Sequence, residues 1–193
     1  MGRALGLKQC PVYIESGDVY ITGEFNPTGS GEKHNGLDMV RRVNNRNTTA
    51  TICALADGII YAMRKYVKDG EKTPSGGNCV YIRHNSGIVT KYMHFKYGTV
   101  PEWVEDDVTV RKGKIIGYMG STGNSTGAHL HLQMEDKDGN LINPEPYITG
   151  EKTLDGETVY EVHIGELKTE EQAKKIVEAL KTLGTNSYIE KRG

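Results

Sequence analysis

Six histidines punctuate the chain, at positions 34, 84, 94, 129, 131 and 163, and the chemistry open to them depends on which can be brought to one point. From His129 to Met134 apolar and polar residues alternate. A strand there puts Leu130, Leu132 and Met134 on one face and His129, His131 and Gln133 on the other. Read the same way, the segment from Lys91 to Phe95 assigns Tyr92 and His94 to one face and Met93 and Phe95 to the opposite one, so His94 can share the working face. His34 and Asp38 stand four apart across Gly36. A short loop entering a strand, bent sharply at that glycine, brings both side chains together. Imidazole nitrogens with a carboxylate suit zinc, which in a hydrolytic site takes three protein ligands and keeps one position for water. His34, Asp38 and one member of the His129/His131 pair supply three. No HExxH occurs in the sequence, which excludes a thermolysin-like helical site.

The elements that must hold these residues are strands. Val/Ile/Tyr/Thr-rich runs cover Val19 to Ile21, Thr51 to Leu55, Ile59 to Met63, Val80 to Arg83, Ile88 to Phe95, Lys114 to Met119 and His129 to Glu135, with turn signals such as Asp57-Gly58, Asn85-Ser86-Gly87 and Asp138-Gly139-Asn140 between them. The expected fold is mainly β, an antiparallel sheet domain occupying residues 1–148. Residues 149–158 read as a linker. Residues 159–193 read as a βαβ unit: Tyr160, Val162 and Ile164 alternate with polar residues. Thr169 and Gln172 then form a capping box, Ala173, Ile176, Val177 and Leu180 recur at helical spacing, and Gly184 follows as an end cap. That unit is too short to build its own core, so it should pack on the main domain or on another copy.

Composition narrows the class. With 193 residues, 24 basic against 25 acidic side chains and a net charge of -1, neither disorder nor a nucleic-acid-binding polycation fits. No run reaches the roughly 20 apolar residues of a membrane span, and the first residues lack the apolar core of a secretion signal. Cys10, Cys53 and Cys79 form no CxxC pair, and Cys53 and Cys79 sit in strand-like runs as buried free thiols. Gly120 to Gly127, GSTGNSTG, resembles a phosphate loop, but no Lys follows and a strand comes next. It reads better as a flexible turn delivering His129. His84 reads as an exposed hairpin residue, and His163 lies outside the sheet domain.

From about Gly23 to Tyr147 the chain resembles the lysostaphin and LytM type of zinc endopeptidases, which cut the peptide part of bacterial peptidoglycan. The resemblance rests on HNGLD (His34 to Asp38), ALADGII followed by GNCVYIRH, the KYMH segment ending at His94, VRKGKIIGYMGSTGNSTGAHLHLQM and the closing NPEPYI. It implies that His34, Asp38 and His131 bind Zn²⁺, that His94 and His129 are the non-ligand histidines handling the water and the transition state, and that a small antiparallel β core carries loops walling a narrow groove with the zinc at its floor. Two neutral imidazoles and one carboxylate would leave the zinc site net positive, able to polarise a peptide carbonyl and acidify water. His94 or His129, titrating near neutral pH, could then move the proton without a Glu. Tyr92 could donate a hydrogen bond to the oxyanion or simply pack. The insertion from Arg64 to Asn78 is expected to wall the groove.

The last 35 residues are similar to half of a SPOR repeat, implying glycan binding, with homodimerisation the structural alternative. With no export signal visible and a substrate outside the cytoplasm, the expected setting is extracellular action on the cell wall after release by lysis or delivery on a phage particle, as a phage lysin. Two other functions compete: a catalytically silent wall-binding or amidase-regulating module, against which the intact five-residue set argues, and a non-haem iron oxygenase using a two-His, one-carboxylate triad, whose spacing is normally closer.

Overall fold

The structure is a computed structural model that describes residues 3–4, 11–13, 18–29, 31–73, 75–154 and 169–182. The chain divides into two compact units, Met1–Val159 and Tyr160–Gly193. Every strand pair among the described residues is antiparallel. The main sheet of the first unit runs, in spatial order, Arg3–Ala4, Asp18–Gly23, Gly36–Val43, Leu130–Glu135, Val89–Phe95, Asn78–Arg83, Gly58–Arg64 and Thr109–Val110. Arg46–Thr48 adds to Gly36–Val43, and Leu141–Ile142 adds to Leu130–Glu135. Ile115–Tyr118, Thr51–Cys53 and Val12–Tyr13 form a second, three-stranded sheet. The mainly β, antiparallel reading of the sequence is what the structure shows. It also adds short strands such as Arg46–Thr48, which the sequence pattern did not reveal. A tight hairpin sets that strand's register through Asn44 and Asn45, both at positive φ (49° and 61°), a conformation the short amide side chain tolerates.

Alternation governs the centre of the sheet. Leu130, Leu132 and Met134 are fully buried, Leu130 opposite Met39, Leu132 between Leu37 and Tyr92, and Met134 opposite Thr90, while His131 and Gln133 face the other way. Each fully buried aliphatic chain contributes about 1.5–3 kcal/mol, and a one-residue slip would turn all three outward, so the core fixes which face the histidine occupies. Cys53 and Cys79 are buried free thiols, as expected, and burial pushes both up in pKa.

Three local expectations are corrected. His84 is buried: its Nδ1 lies 2.7 Å from the Asp57 carbonyl oxygen and its Nε2 lies 2.9 Å from Thr90 Oγ1. Asp57-Gly58 folds back over the hairpin and supplies the acceptor that the local sequence alone does not reveal. The glycine-rich segment at 120–127 is pinned rather than loose, with Thr122 and Ser125 both buried. The packed core also runs past residue 148 into the stretch read as a linker, because Leu154 joins the same apolar cluster as Ile148.

In the second unit the helix Glu170–Thr182 is present, and its first turn is capped as the Thr169/Gln172 spacing implies: the Gln172 amide donates to Thr169 Oγ1 at 3.3 Å. Lys174 and Lys175 pair with Glu170 and Glu171 one turn earlier. The strands expected at 160–164 and 188–189, with His163 and Gly184, lie outside the described residues.

Candidate active site

His34 enters the site from a backbone bridge with Asn26, just before the strand Gly36–Val43 that carries Asp38. The next strand in the sheet is Leu130–Glu135, and His131 stands directly opposite Asp38 in the register. The loop-then-strand reading of His34 to Asp38 therefore holds, but Gly36 does something different from the bend assigned to it. It opens the strand, and a Cβ there would meet the Leu132 carbonyl oxygen at 2.3 Å and His131 Nε2 at 2.9 Å. Its bare backbone lets the two ligand-bearing strands approach.

The three heteroatoms converge. His34 Nε2 lies 3.2 Å from Asp38 Oδ1 and 3.1 Å from His131 Nδ1, and His131 Nδ1 lies 2.8 Å from Asp38 Oδ1. These residues form a group able to hold a metal ion. Burial alone would raise the Asp38 pKa, but the His131 and His34 contacts outweigh it and hold the carboxyl well below the usual carboxylate range. His34 is raised, chiefly by the Asp38 contact.

The donor set also fits a tetrahedral ion by its hydrogen-bonding pattern. A carbonyl oxygen only accepts, so at 2.8 Å from the Glu24 oxygen His34 Nδ1 must carry the proton. In the neutral ring, the form that binds a metal, that leaves Nε2 bare and turned toward Asp38 and His131. Ligand atoms about 2.0–2.1 Å from a zinc ion stand roughly 3.3 Å apart in a tetrahedron, close to the spacing seen here.

His94 reaches the same place by a route that strand periodicity does not predict. Met93 is the cross-strand partner of His131 and shares its face, whereas Tyr92 is opposite Leu132 and fully buried. Tyr92 and His94 are therefore not neighbours on one face. Tyr92 is fully buried and its OH accepts the Leu55 amide at 2.9 Å in the core, where burial also pushes its pKa up to about 12; its place in the core, away from the site, makes it a packing residue. Simple alternation would send His94 into the core as well. Its backbone is left-handed (φ 65°), and this turns the ring back toward His129, with ring centroids 4.6 Å apart, and toward His131, 6.0 Å away.

His94 Nδ1 donates to the Thr122 carbonyl at 2.8 Å. Desolvation lowers its pKa to about 4, against the expectation of titration near neutrality. His129, bridged to Gly120, contacts the Gly127 carbonyl through Nδ1 at 2.8 Å and places Nε2 3.5 Å from Asp38 Oδ1. All five expected side chains thus come together. Their supports, the Glu24 and Thr122 carbonyls, are backbone atoms that no residue type in the sequence marks. Only the small-residue runs around GGN and GST hinted at close backbone contact there.

Residues 32–144, more than half of the chain, match the model of Peptidase family M23. The chain belongs to that family. It is a family of metallopeptidases, and the membership agrees with the lysostaphin and LytM resemblance drawn from the motifs. Among similar proteins, the peptidoglycan DD-endopeptidase ShyC of Vibrio cholerae is 33% identical over 119 residues, covering 58% of this chain and 24% of that protein. The DD-carboxypeptidase/endopeptidase Mpg of Neisseria meningitidis is 41% identical over 68 residues, covering 35% of this chain and 14% of that protein. The crystal structure of a zinc containing peptidase from Vibrio cholerae superposes with a TM-score of 0.52 at 28% identity, covering 73% of this chain and 39% of that one. This chain thus spans between 14% and 39% of the length of these three. No helix among the described residues is long and apolar enough to cross a membrane.

Proposed function

We propose that this M23 peptidase is a zinc endopeptidase that hydrolyses peptide bonds in the stem peptides or cross-bridges of bacterial peptidoglycan. The supporting observation is the convergence of His34 Nε2, Asp38 Oδ1 and His131 Nδ1 within 3.2 Å of one another, with the His94 and His129 rings alongside. The peptidoglycan DD-endopeptidases among its relatives supply the substrate class.

In this reading His34, Asp38 and His131 hold the metal. Zinc, when bound, supplies Lewis acidity toward the scissile carbonyl and toward water. Everything else falls to the chain. The Glu24 carbonyl fixes the tautomer of His34, so a bare nitrogen faces the site. His94, neutral at pH 7 and with Nδ1–H committed to Thr122, offers Nε2 as a hydrogen-bond acceptor that orients the attacking water. His129, nearer the solvent, takes the proton and returns it to the leaving amine. The insertion between Arg64 and Asn78 serves as a wall of the groove. Residues 159–193 serve as a wall-binding, SPOR-like half repeat or a dimerising unit, and the setting is lysis of the cell wall from outside, as by a phage lysin.

The test is digestion of purified muropeptides of several cross-link chemistries, with fragments identified by mass. The expected result is new amine and carboxyl termini with zinc-loaded protein, lost on chelation and restored by zinc. Muropeptides left intact would overturn the proposal in favour of a silent wall-binding module. Iron in the purified protein with oxygen-dependent turnover would overturn it in favour of an oxygenase.

A further inference from the structure

His94 sits in a backbone conformation that a non-glycine residue rarely adopts, and something must hold it there. Two loops do so jointly. From the insertion, the Gly76 carbonyl accepts the His94 amide at 2.8 Å. From the glycine-rich segment, Thr122 makes three contacts. Its carbonyl accepts His94 Nδ1–H at 2.8 Å, its hydroxyl donates to the Phe95 carbonyl at 2.8 Å, and the same oxygen accepts the Asn78 amide at 3.0 Å. Thr122 and Asn78 are both fully buried, and Asn78 in turn clasps Val67 through Oδ1 and Nδ2, each at 2.8 Å. The two loops touch through glycines: a Cβ on Gly77 would lie 2.3 Å from the Thr122 oxygen, and one on Gly123 would lie 2.3 Å from the Gly77 nitrogen.

We infer that Thr122 is a positioning residue for the hydrolytic site. Its carbonyl sets the plane and tautomer of the His94 ring, and its hydroxyl, tied to the residue after His94 and to the end of the insertion, keeps that carbonyl in place. Thr122 touches neither the metal-binding group nor substrate in this assignment; it acts through His94. The ring is thereby fixed before substrate arrives, with Nε2 left bare by a proton that the Thr122 oxygen holds on Nδ1. The inference rests on the role proposed above for His94.

The test compares Thr122→Val, which keeps the shape and removes the hydroxyl, with Thr122→Ser, which keeps both hydroxyl bonds. For Thr122→Val, kcat on a cleavable muropeptide should fall about 10–100-fold, the scale for losing an orienting partner, with KM and bound zinc unchanged. Thr122→Ser should recover most of the loss. A Thr122→Val enzyme with kcat within twofold of the parent would overturn the inference, and so would one losing zinc and KM in step with kcat. Imidazole ¹H–¹⁵N correlation spectra of the unaltered protein provide a readout that needs no variant to fold. His94 should carry its proton on Nδ1, and a proton on Nε2 instead would overturn the assignment whether or not the protein cleaves anything. Absence of cleavage together with the expected tautomer would count against the proposed function and leave the brace standing.

Discussion

Gly36→Ala is the substitution whose consequence follows most directly from the geometry. The new methyl would sit 2.3 Å from the Leu132 carbonyl oxygen and 2.9 Å from His131 Nε2, so the strands Gly36–Val43 and Leu130–Glu135 must separate by about 1 Å to restore ordinary contact. Neither neighbour is the far end of a flexible chain. One is backbone locked in the ladder and the other is the ring of a proposed ligand opposite Asp38. Overpacking of this kind costs about 1–3 kcal/mol, which for a chain of this size lowers Tm by roughly 3–10 °C. Because the same displacement moves His131 away from Asp38 and His34, metal affinity should fall as well, and a misplacement near 1 Å costs about 100-fold in rate. Differential scanning calorimetry with and without zinc, a competitive zinc-chelator titration and muropeptide turnover read the three effects. Gly127→Ala, whose Cβ meets nothing within 4 Å, is the stability control and should unfold at the parent temperature. A Gly36→Ala protein with parental Tm and parental zinc affinity would refute the argument that close strand approach builds the site.

Further outcomes follow from the same geometry. His131→Ala should lose both zinc and hydrolysis, whereas His129→Ala keeps zinc and loses hydrolysis; metal analysis beside the cleavage assay checks this, and the reverse pattern would exchange the two roles. His84→Ala should cost about 1–3 kcal/mol in denaturant unfolding, because it strips partners from the Asp57 carbonyl and the buried Thr90 hydroxyl, while leaving metal content unchanged. His94, lowered by burial to about 4, binds fewer protons folded than unfolded between that value and about 6.5. Its contribution is therefore complete above pH 6.5 and is lost as pH falls toward 4, a change of about 3 kcal/mol at most. Metal-free His94→Asn, a residue that tolerates left-handed backbone, should show a correspondingly shallower acid slope in urea unfolding from pH 7 to pH 4. Equal slopes for parent and variant would contradict a buried neutral imidazole.

How much of this was legible in the chain differs from residue to residue. Leu130, Leu132 and Met134 alternate with His131 and Gln133, and hydrophobic burial turns that alternation directly into a face; the inward and outward sides of this strand were readable at once. His34 and Asp38 were readable as a loop entering a strand, because their spacing is local. The antiparallel β class followed from β-branched runs and turn residues, and the helix start at Thr169 from its capping box.

The tertiary structure decided the rest, for one physical reason: backbone and side-chain states that are unfavourable alone persist where distant segments hold them. Alternation alone places Tyr92 and His94 on one face. The left-handed turn at His94 breaks that rule, and it is stabilised by Gly76 and Thr122, neither of them adjacent to it in sequence. His84 reads as polar and exposed until the Asp57 carbonyl and Thr90 hydroxyl, from other segments, make burial affordable. Gly36 reads as a hinge until a second strand is laid against it. Which residue types assemble the site is thus determined by the sequence. The angle at which each one points, and the protonation it keeps there, depend on neighbours that only the folded chain supplies.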